Sequence, residues 1–324
     1  MTALECLTIV VPVRDEEGVL EELHRRLSAA CDGVGRRYEI IYVDDGSTDR
    51  SLEILQGIAA ASPHAVVLQL TRNFGQTAAL AAGIDHAGGG IIITMDGDLQ
   101  DDPADIPRFL GVLEEGFDIV IGWRRERSEN LWLRLIPSKC ANLLMSWFSG
   151  VRLKDFGSTF KACRADIIKQ VELFGELHRF IPVLADRIGA RMTEIPVSFG
   201  PRYAGVSKYG FGRVFGVFQD LIFLYFYSQY ITKPLRGFGK LFFFFFGTGF
   251  VIALIMFIYD LTGRITSMQD NLGMLLFTVL MMILGMQFLV AGVLAELLSR
   301  IYFRTADYKI YAVRRIIGGG AALE

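Results

Sequence analysis

The sequence predicts an α/β protein, a doubly wound, mostly parallel sheet followed by interfacial helices and a two-helix hairpin that crosses a membrane. Three observations lead there. Short β-branched runs alternate with helical stretches across residues 1–210. Acidic residues gather where those runs end. Two apolar runs near the carboxyl terminus, 241–261 and 272–298, each reach the length of a membrane span.

The strand-like runs are Leu7–Val13, Tyr38–Asp44, Ala65–Leu70, Gly90–Asp96 and Phe117–Trp123, and helical patterns lie at about 17–31, 48–61, 76–87 and 103–115. Ser47-Thr48-Asp49 is a start signal for the second helix, and Pro103 occupies a favoured first-turn position in the fourth. Asp101 and Asp102 are candidate caps of that fourth helix. Strand–helix alternation of this kind places ligands at the carboxyl ends of the strands.

Residues 211–230, FGRVFGVFQDLIFLYFYSQY, are aromatic and amphipathic, which suits a helix in the membrane interface. The run 241–261 has one acid, Asp260, and the run 272–298 has one, Glu296, each near an end. Lys233, Arg236 and Lys240 precede the pair, and Arg300, Arg304, Lys309, Arg314 and Arg315 follow it, while the short connection carries only Arg264. The positive-inside rule then puts both chain ends in the cytoplasm and makes this an integral protein of the inner (plasma) membrane. Gly285 and Gly292 allow close helix packing, including packing between copies in a homo-oligomer. The expected organisation is 1–210 as a cytoplasmic enzyme domain, 211–233 as interfacial helices, 234–304 as the hairpin, and 305–324 as a cytoplasmic tail ending in an added scar. The first apolar run, Leu7 to Val13, is too short for a signal peptide.

Composition agrees. With 52% apolar and 21% charged residues, the chain is more apolar than an ordinary soluble protein. The net charge of −2 argues against a nucleic-acid partner. Cys6, Cys31, Cys140 and Cys163 form no C-x-x-C and read as packed, reduced thiols. His24, His64, His86 and His178 show no metal-ligand spacing.

Three strand ends carry the chemistry. The first reads Pro12-Val13-Arg14-Asp15-Glu16, the second Val43-Asp44-Asp45-Gly46-Ser47, and the fourth Met95-Asp96-Gly97-Asp98-Leu99-Gln100. Clustered carboxylates repel and need a cation or donors to hold them. Asp96 and Asp98 reach one ion from a strand-end turn, and with the Gln100 carbonyl they form a hard oxygen site suited to Mg²⁺ or Mn²⁺, with diphosphate oxygens completing the shell. No Walker A, G-x-G-x-x-G, G-x-S-x-G or H-E-x-x-H pattern competes with this reading.

Taken together, IVVPVRDEE, YVDDGSTD, MDGDLQDDP and DFGSTFKACR resemble the family 2 glycosyltransferases of GT-A fold, and more narrowly the polyprenyl-phosphate branch that contains dolichol-phosphate mannose synthases and bacterial undecaprenyl-phosphate glucosyltransferases. The resemblance implies Pro12, Arg14, Glu16, Val43 and Asp45 around base and ribose, and Asp96, Asp98 and Gln100 at metal and donor diphosphate. It implies Arg124, Arg134, Ser138, Arg202 and Lys208 at the acceptor phosphate, Asp155 at the donor sugar or in acceptor positioning, and Asp98 and Asp155 as the catalytic pair. At Arg14-Asp15 the chain departs from the common pattern of a neutral residue followed by Asn, which leaves the base contacts open.

The implied activity is inverting transfer of one sugar from a nucleotide-sugar donor to polyprenyl phosphate at the cytoplasmic membrane face. UDP-glucose is the favoured donor, with GDP-mannose and UDP-linked amino sugars as alternatives. A processive polysaccharide synthase carries Q-x-x-R-W and more spans, which this sequence lacks. A non-catalytic nucleotide-sugar-binding membrane protein has no reason to keep the acids and acceptor bases together, and a transporter lacks a polar path in two such spans.

Overall fold

The computed structural model describes residues 6–124, 146, 151, 153–173, 177–200, 234–262, 271–304 and 309–318. In the first unit the elements run β1 (Cys6–Val13), α1 (Leu20–Val34), β2 (Arg37–Asp44), α2 (Ser51–Ala61), β3 (Ala65–Leu70), α3 (Gln76–His86), β4 (Ile91–Thr94), a 3₁₀ turn (Pro103–Asp105), α4 (Ile106–Glu114) and β5 (Ile119–Arg124). They continue with β6 (Lys161–Arg164), α5 (Ala165–Ile168), a second 3₁₀ turn (Leu177–Phe180), α6 (Ile181–Arg187) and β7 (Met192–Val197).

These strands and a later one, β8 (Val313–Gly318), form a single eight-stranded sheet in the order β7-β5-β6-β4-β1-β2-β3-β8. Neighbouring pairs are parallel except around β6, which runs antiparallel to β4 and β5, and at β8, antiparallel to β3. The mostly parallel α/β sheet read from the sequence is therefore present, with two antiparallel strands, β6 inside it and β8 at its edge. The chain leaves β1 for β2 and β3 on one side and returns to β4 on the other, so the strand order reverses between β1 and β4. In open α/β sheets that reversal opens a crevice at the strand carboxyl ends.

The core forms because β1, β2 and β4 are apolar on both faces, as strands covered by helices on both sides must be. Helix α1 buries Leu20, Leu23, Leu27 and Cys31 along one stripe and stops at Gly35, whose left-handed φ of 69° suits glycine. Phe109 of α4 packs on Phe160 at a centroid distance of 4.3 Å. Cys6, Cys31 and Cys163 are free and buried, in line with packed thiols; Cys140 lies outside the described residues.

The segment read as a carboxyl-terminal tail supplies an edge strand. Pairing of β8 with β3 runs from Val66↔Gly318 to Leu70↔Val313, and Thr71 N donates to the Ala312 carbonyl at 2.9 Å. Buried Tyr311 donates its hydroxyl to Asp85 at 2.7 Å, and Lys309 lies 3.6 Å from the same carboxylate. A chain ended at residue 308 bares the β3 edge and empties the Tyr311 site. We expect a loss on the order of 3 kcal/mol, or about 10 °C in melting temperature, together with aggregation. Thermal melts in detergent check this; an unchanged melt and a monodisperse sample reject it.

The second unit contains α7 (Pro234–Leu261) and α8 (Leu272–Arg304), of 28 and 33 residues, both long and apolar enough to cross a bilayer. They form an antiparallel hairpin. Gly249 lies against Met282 and Thr278, Gly285 against Phe246, and Gly292 against Phe238 and Leu235. At Gly285 an added Cβ falls 2.6 Å from the Phe246 Cβ, so the close approach needs glycine. Gly285 and Gly292, read as allowing contact between copies, are taken up by the hairpin of one chain. The large apolar side chains point outward instead, with Phe243 75% exposed and Phe250, Phe257, Leu276 and Leu294 also exposed, the reverse of a water-soluble helix pair. The interfacial segment 211–233 lies outside the described residues.

Candidate active site

The first two strand ends are laced together. In the β1–β2 register Pro12 pairs with Val43 and Val13 with Asp44, and Asp45 N donates to the Val13 carbonyl at 2.9 Å. Asp15, at a positive φ of 54°, accepts from Thr48 N at 2.7 Å and Thr48 Oγ1 at 3.1 Å. The bond from the Thr48 amide is the main reason its carboxyl sits below the usual range. Glu16 N donates to Ser51 Oγ at 2.8 Å, and the Arg14 side chain stays half exposed beside Asp15. Pro12, Arg14, Glu16, Val43 and Asp45 thus meet at one rim.

Asp45 is buried and accepts from Phe74 N at 2.7 Å on one oxygen and from Gly75 N at 2.9 Å on the other. Burial pushes its carboxyl up, and these two amides oppose the push. Gly46 is what lets this turn form: its φ is +68°, and a Cβ there would lie 2.7 Å from Asn73 N and 2.9 Å from the Arg72 carbonyl carbon. The loop after β3, Thr71–Gly75, and the first residue of α3, Gln76, are thereby part of the rim. The sequence reading passed over the loop, although Asn73-Phe74-Gly75 after a strand is a turn signal.

The fourth strand end joins the same segment. Gln76 Nε2 donates to Asp96 Oδ1 at 2.7 Å, and the Thr159 side chain favours the charged form of the same carboxylate. Burial, then the Asp98 charge, raises the Asp96 carboxyl. Asp98 is buried and accepts from Gln100 N at 3.2 Å across Leu99, a non-glycine residue at a φ of 58°. Gln100 exchanges bonds with Gly200, its amide reaching Gly200 O at 3.4 Å and its carbonyl accepting from Gly200 N at 2.8 Å. Asp102 caps the first 3₁₀ turn through Ala104 N at 3.0 Å, as expected of it. Asp101 does not share that role: it is buried, bridges to Phe199, and is pushed up to about 8 by burial and then by Asp96.

Arg124 and Asp155, 31 residues apart, form a two-pronged ion pair, Nε to Oδ2 at 2.7 Å and Nη2 to Oδ1 at 3.1 Å. Both are largely buried, with side chains 16% and 10% exposed, and the guanidinium lies 5.0 Å from the Phe199 ring centroid. Asp155 is fixed further by Gly157 N at 3.0 Å, and Glu194 of β7 accepts from the Asp155 and Lys154 amides. The sequence places Arg124 at the acceptor phosphate and Asp155 at the donor sugar or in acceptor positioning, and does not indicate that the two pair. Arg134, Ser138, Arg202 and Lys208 lie outside the described residues.

Asp96, Asp101 and Asp155 lie within electrostatic reach of two buried or nearly buried cations, Arg124 and Lys161, and Asp98 lies within reach of Asp96 and Asp101. Among the described residues four carboxyl groups stand against two cations, which leaves room for a divalent cation, and every carboxylate donor is hard oxygen. Among the described residues no group of three His, Cys, Asp or Glu side chains stands ready to ring an ion. The oxygen chemistry of these acids suits a divalent cation such as Mg²⁺ or Mn²⁺, and a ligand's own oxygens would have to complete its shell.

A sheet that reverses between β1 and β4, with paired carboxylates on the β4 turn and a laced acidic rim beside it, has the architecture of a GT-A glycosyltransferase. The glycosyl transferase family 2 model matches residues 8–171, and the chain belongs to that family. Among curated proteins it is 41% identical over 318 residues to a dodecaprenyl-phosphate galacturonate synthase of Rhizobium johnstonii, covering 96% of this chain and 92% of the relative. It is 35% identical over 320 residues to an undecaprenyl-phosphate 4-deoxy-4-formamido-L-arabinose transferase of Edwardsiella ictaluri, covering 97% and 95%. Among solved structures it resembles glucosyl-3-phosphoglycerate synthase from Mycobacterium tuberculosis in complex with Mn²⁺, UDP and phosphoglyceric acid, with a TM-score of 0.54 and 20% identity, covering 69% of this chain and 78% of that one. That likeness concerns the fold.

Proposed function

We propose that this enzyme transfers one sugar from a nucleoside-diphosphate sugar to polyprenyl phosphate at a membrane surface, with inversion at the anomeric carbon. The observation that carries the reading is an acidic family 2 rim in the same chain as an apolar two-helix hairpin. The relatives named above act on polyprenyl phosphates, which supports the acceptor class. Residues before and after the hairpin belong to one folded unit, which supports both chain ends lying on one side of the bilayer, in the cytoplasm.

In this reading Pro12, Arg14, Glu16, Val43 and Asp45 hold base and ribose, and Asp96, Asp98 and Gln100 hold Mg²⁺ or Mn²⁺ with the donor diphosphate. The bound cation supplies neutralisation of charge on the departing diphosphate. Gln76 orients Asp96, and Asp155 holds the Arg124 guanidinium for phosphate binding. Arg134, Ser138, Arg202 and Lys208 complete the acceptor-phosphate site. The anomeric carbon–oxygen bond to the donor diphosphate breaks as an acceptor phosphate oxygen bonds to that carbon. The acceptor is already anionic at neutral pH, so no side chain has to remove a proton.

For the donor, galacturonate replaces glucose as the favoured sugar, since the relative at 41% identity bears that name; formamido-arabinose is the second reading. Incubating the detergent-solubilised protein with polyprenyl phosphate and radiolabelled UDP-galacturonate, UDP-4-formamido-arabinose, UDP-glucose or GDP-mannose tests this. Lipid-linked label from UDP-galacturonate is the expected result. Label from another donor alone rejects the sugar, and label from none rejects the activity.

A further inference from the structure

Lys161 opens β6, in register with Thr94 of β4 and Ile121 of β5, and only 1% of it is exposed. Its neighbours Phe160 and Ala162 belong to the apolar core. Its ammonium donates to the Ser158 carbonyl, and the charged groups that act on it include Asp96, Asp155 and Arg124. An ammonium carries three N–H donors, and burying one is costly unless its charge is answered. Burial draws it down to about 8, so it remains mostly charged at neutral pH. The Ser158 hydroxyl beside it is buried and, among the described residues, is the buried side-chain polar atom without a hydrogen-bond partner. A methionine or leucine would fill the same space without these costs. What Lys161 adds is its field.

We propose that Lys161 is a positioning residue of the transfer reaction, a buried cation that trims the charge of the Asp96–Asp98–Asp101–Asp155 cluster so that it accepts one divalent cation together with an anionic nucleoside diphosphate. The inference rests on the function proposed above. Arg124 is already forked to Asp155, and without Lys161 it is, among the described residues, the single cation left against these four carboxyl groups. Such a cluster attracts a bare divalent ion more strongly and repels a diphosphate more strongly. Loss of Lys161 therefore moves the two affinities in opposite directions, which a purely structural role does not do.

The test uses the full-length protein in detergent and three variants: Lys161→Met, which keeps length and removes charge; Lys161→Gln, which also keeps a donor for the Ser158 carbonyl; and Lys161→Arg, which keeps charge. Mn²⁺ binding is read by electron paramagnetic resonance without nucleotide, UDP and GDP binding by calorimetry at saturating Mn²⁺, and folding by thermal melts. We expect the Met and Gln variants to bind Mn²⁺ several-fold more tightly and the nucleoside diphosphate about tenfold more weakly, with the Arg variant within about threefold of the parent. Unchanged affinities in folded Met or Gln variants, or both affinities falling together, overturn the proposal. Failure of both neutral variants to fold assigns Lys161 to the fold and overturns it as well. If the parent itself binds neither Mn²⁺ nor either nucleotide, it is the underlying functional reading that fails.

Discussion

Replacing Asp98 or Asp96 by alanine is expected to lower kcat by about 10²- to 10³-fold, the range seen when one preorganised group that stabilises developing charge is removed. Both side chains come from the turn after β4, and they are held differently. Asp96 is anchored by Gln76, with the Thr159 side chain favouring its charged form, and Asp98 by the Gln100 amide. Neither alanine should unfold the protein. Desolvation, and then the neighbouring Asp98 charge, push the partly buried Asp96 carboxyl up. For an acid raised in the folded state, stability is fullest below its unfolded pKa and falls as pH rises through the folded value, so at neutral pH the charged form costs stability. Asp96→Asn should therefore melt no lower than the parent when both are in chelator, and should lose turnover when Mg²⁺ or Mn²⁺ is present. Chelator should abolish parent activity, and Mg²⁺ or Mn²⁺ should restore it. Full turnover in excess chelator would sink the divalent-ion assignment.

The second large effect concerns the Arg124–Asp155 fork. Removing either partner alone leaves a charge in a largely buried site, at a cost of about 3–5 kcal/mol. Arg124→Ala should also abolish acceptor use, because the remaining carboxylate repels phosphate. Removing both charges together should cost less than the sum of the single changes, with a coupling of about 1–3 kcal/mol in chemical denaturation. Lysine at 124 keeps charge but not the two parallel bonds, and should recover only part of the stability. Additive single and double variants would show that the fork is incidental.

Much of this molecule was legible in its residues. The β1 to β5 strands and the helices between them follow from continuous apolar runs bounded by turn residues, because a strand covered on both faces has to be apolar throughout. Strands β6, β7 and β8 were not read. Lys161-Ala162-Cys163-Arg164 carries charge at both ends, Met192–Val197 is only partly buried, and Val313–Gly318 has two arginines. Each earns its place by pairing with an element distant in sequence, and local pattern does not encode that partner. The same holds at the site. Asp45, Asp96 and Asp98 were legible because acids at strand ends need an explanation of their own. Gln76, Thr159, Lys161 and Glu194 were not, since a lone polar residue on a helix or strand looks like surface until its neighbour is known.

By itself, the order of residues determined the class of fold, the acidic strand ends and the apolar length of the hairpin, because these depend on hydrophobic period, turn chemistry and run length, all local along the chain. Only the tertiary structure decided that Arg124 forks to Asp155, that the loop after β3 and the first residue of α3 grip Asp45 and Asp96, that Gly285 serves its own hairpin, and that the chain's last strand closes the sheet beyond β3. Those contacts join residues tens to hundreds of positions apart, where direction and distance in space, rather than composition, select the partner.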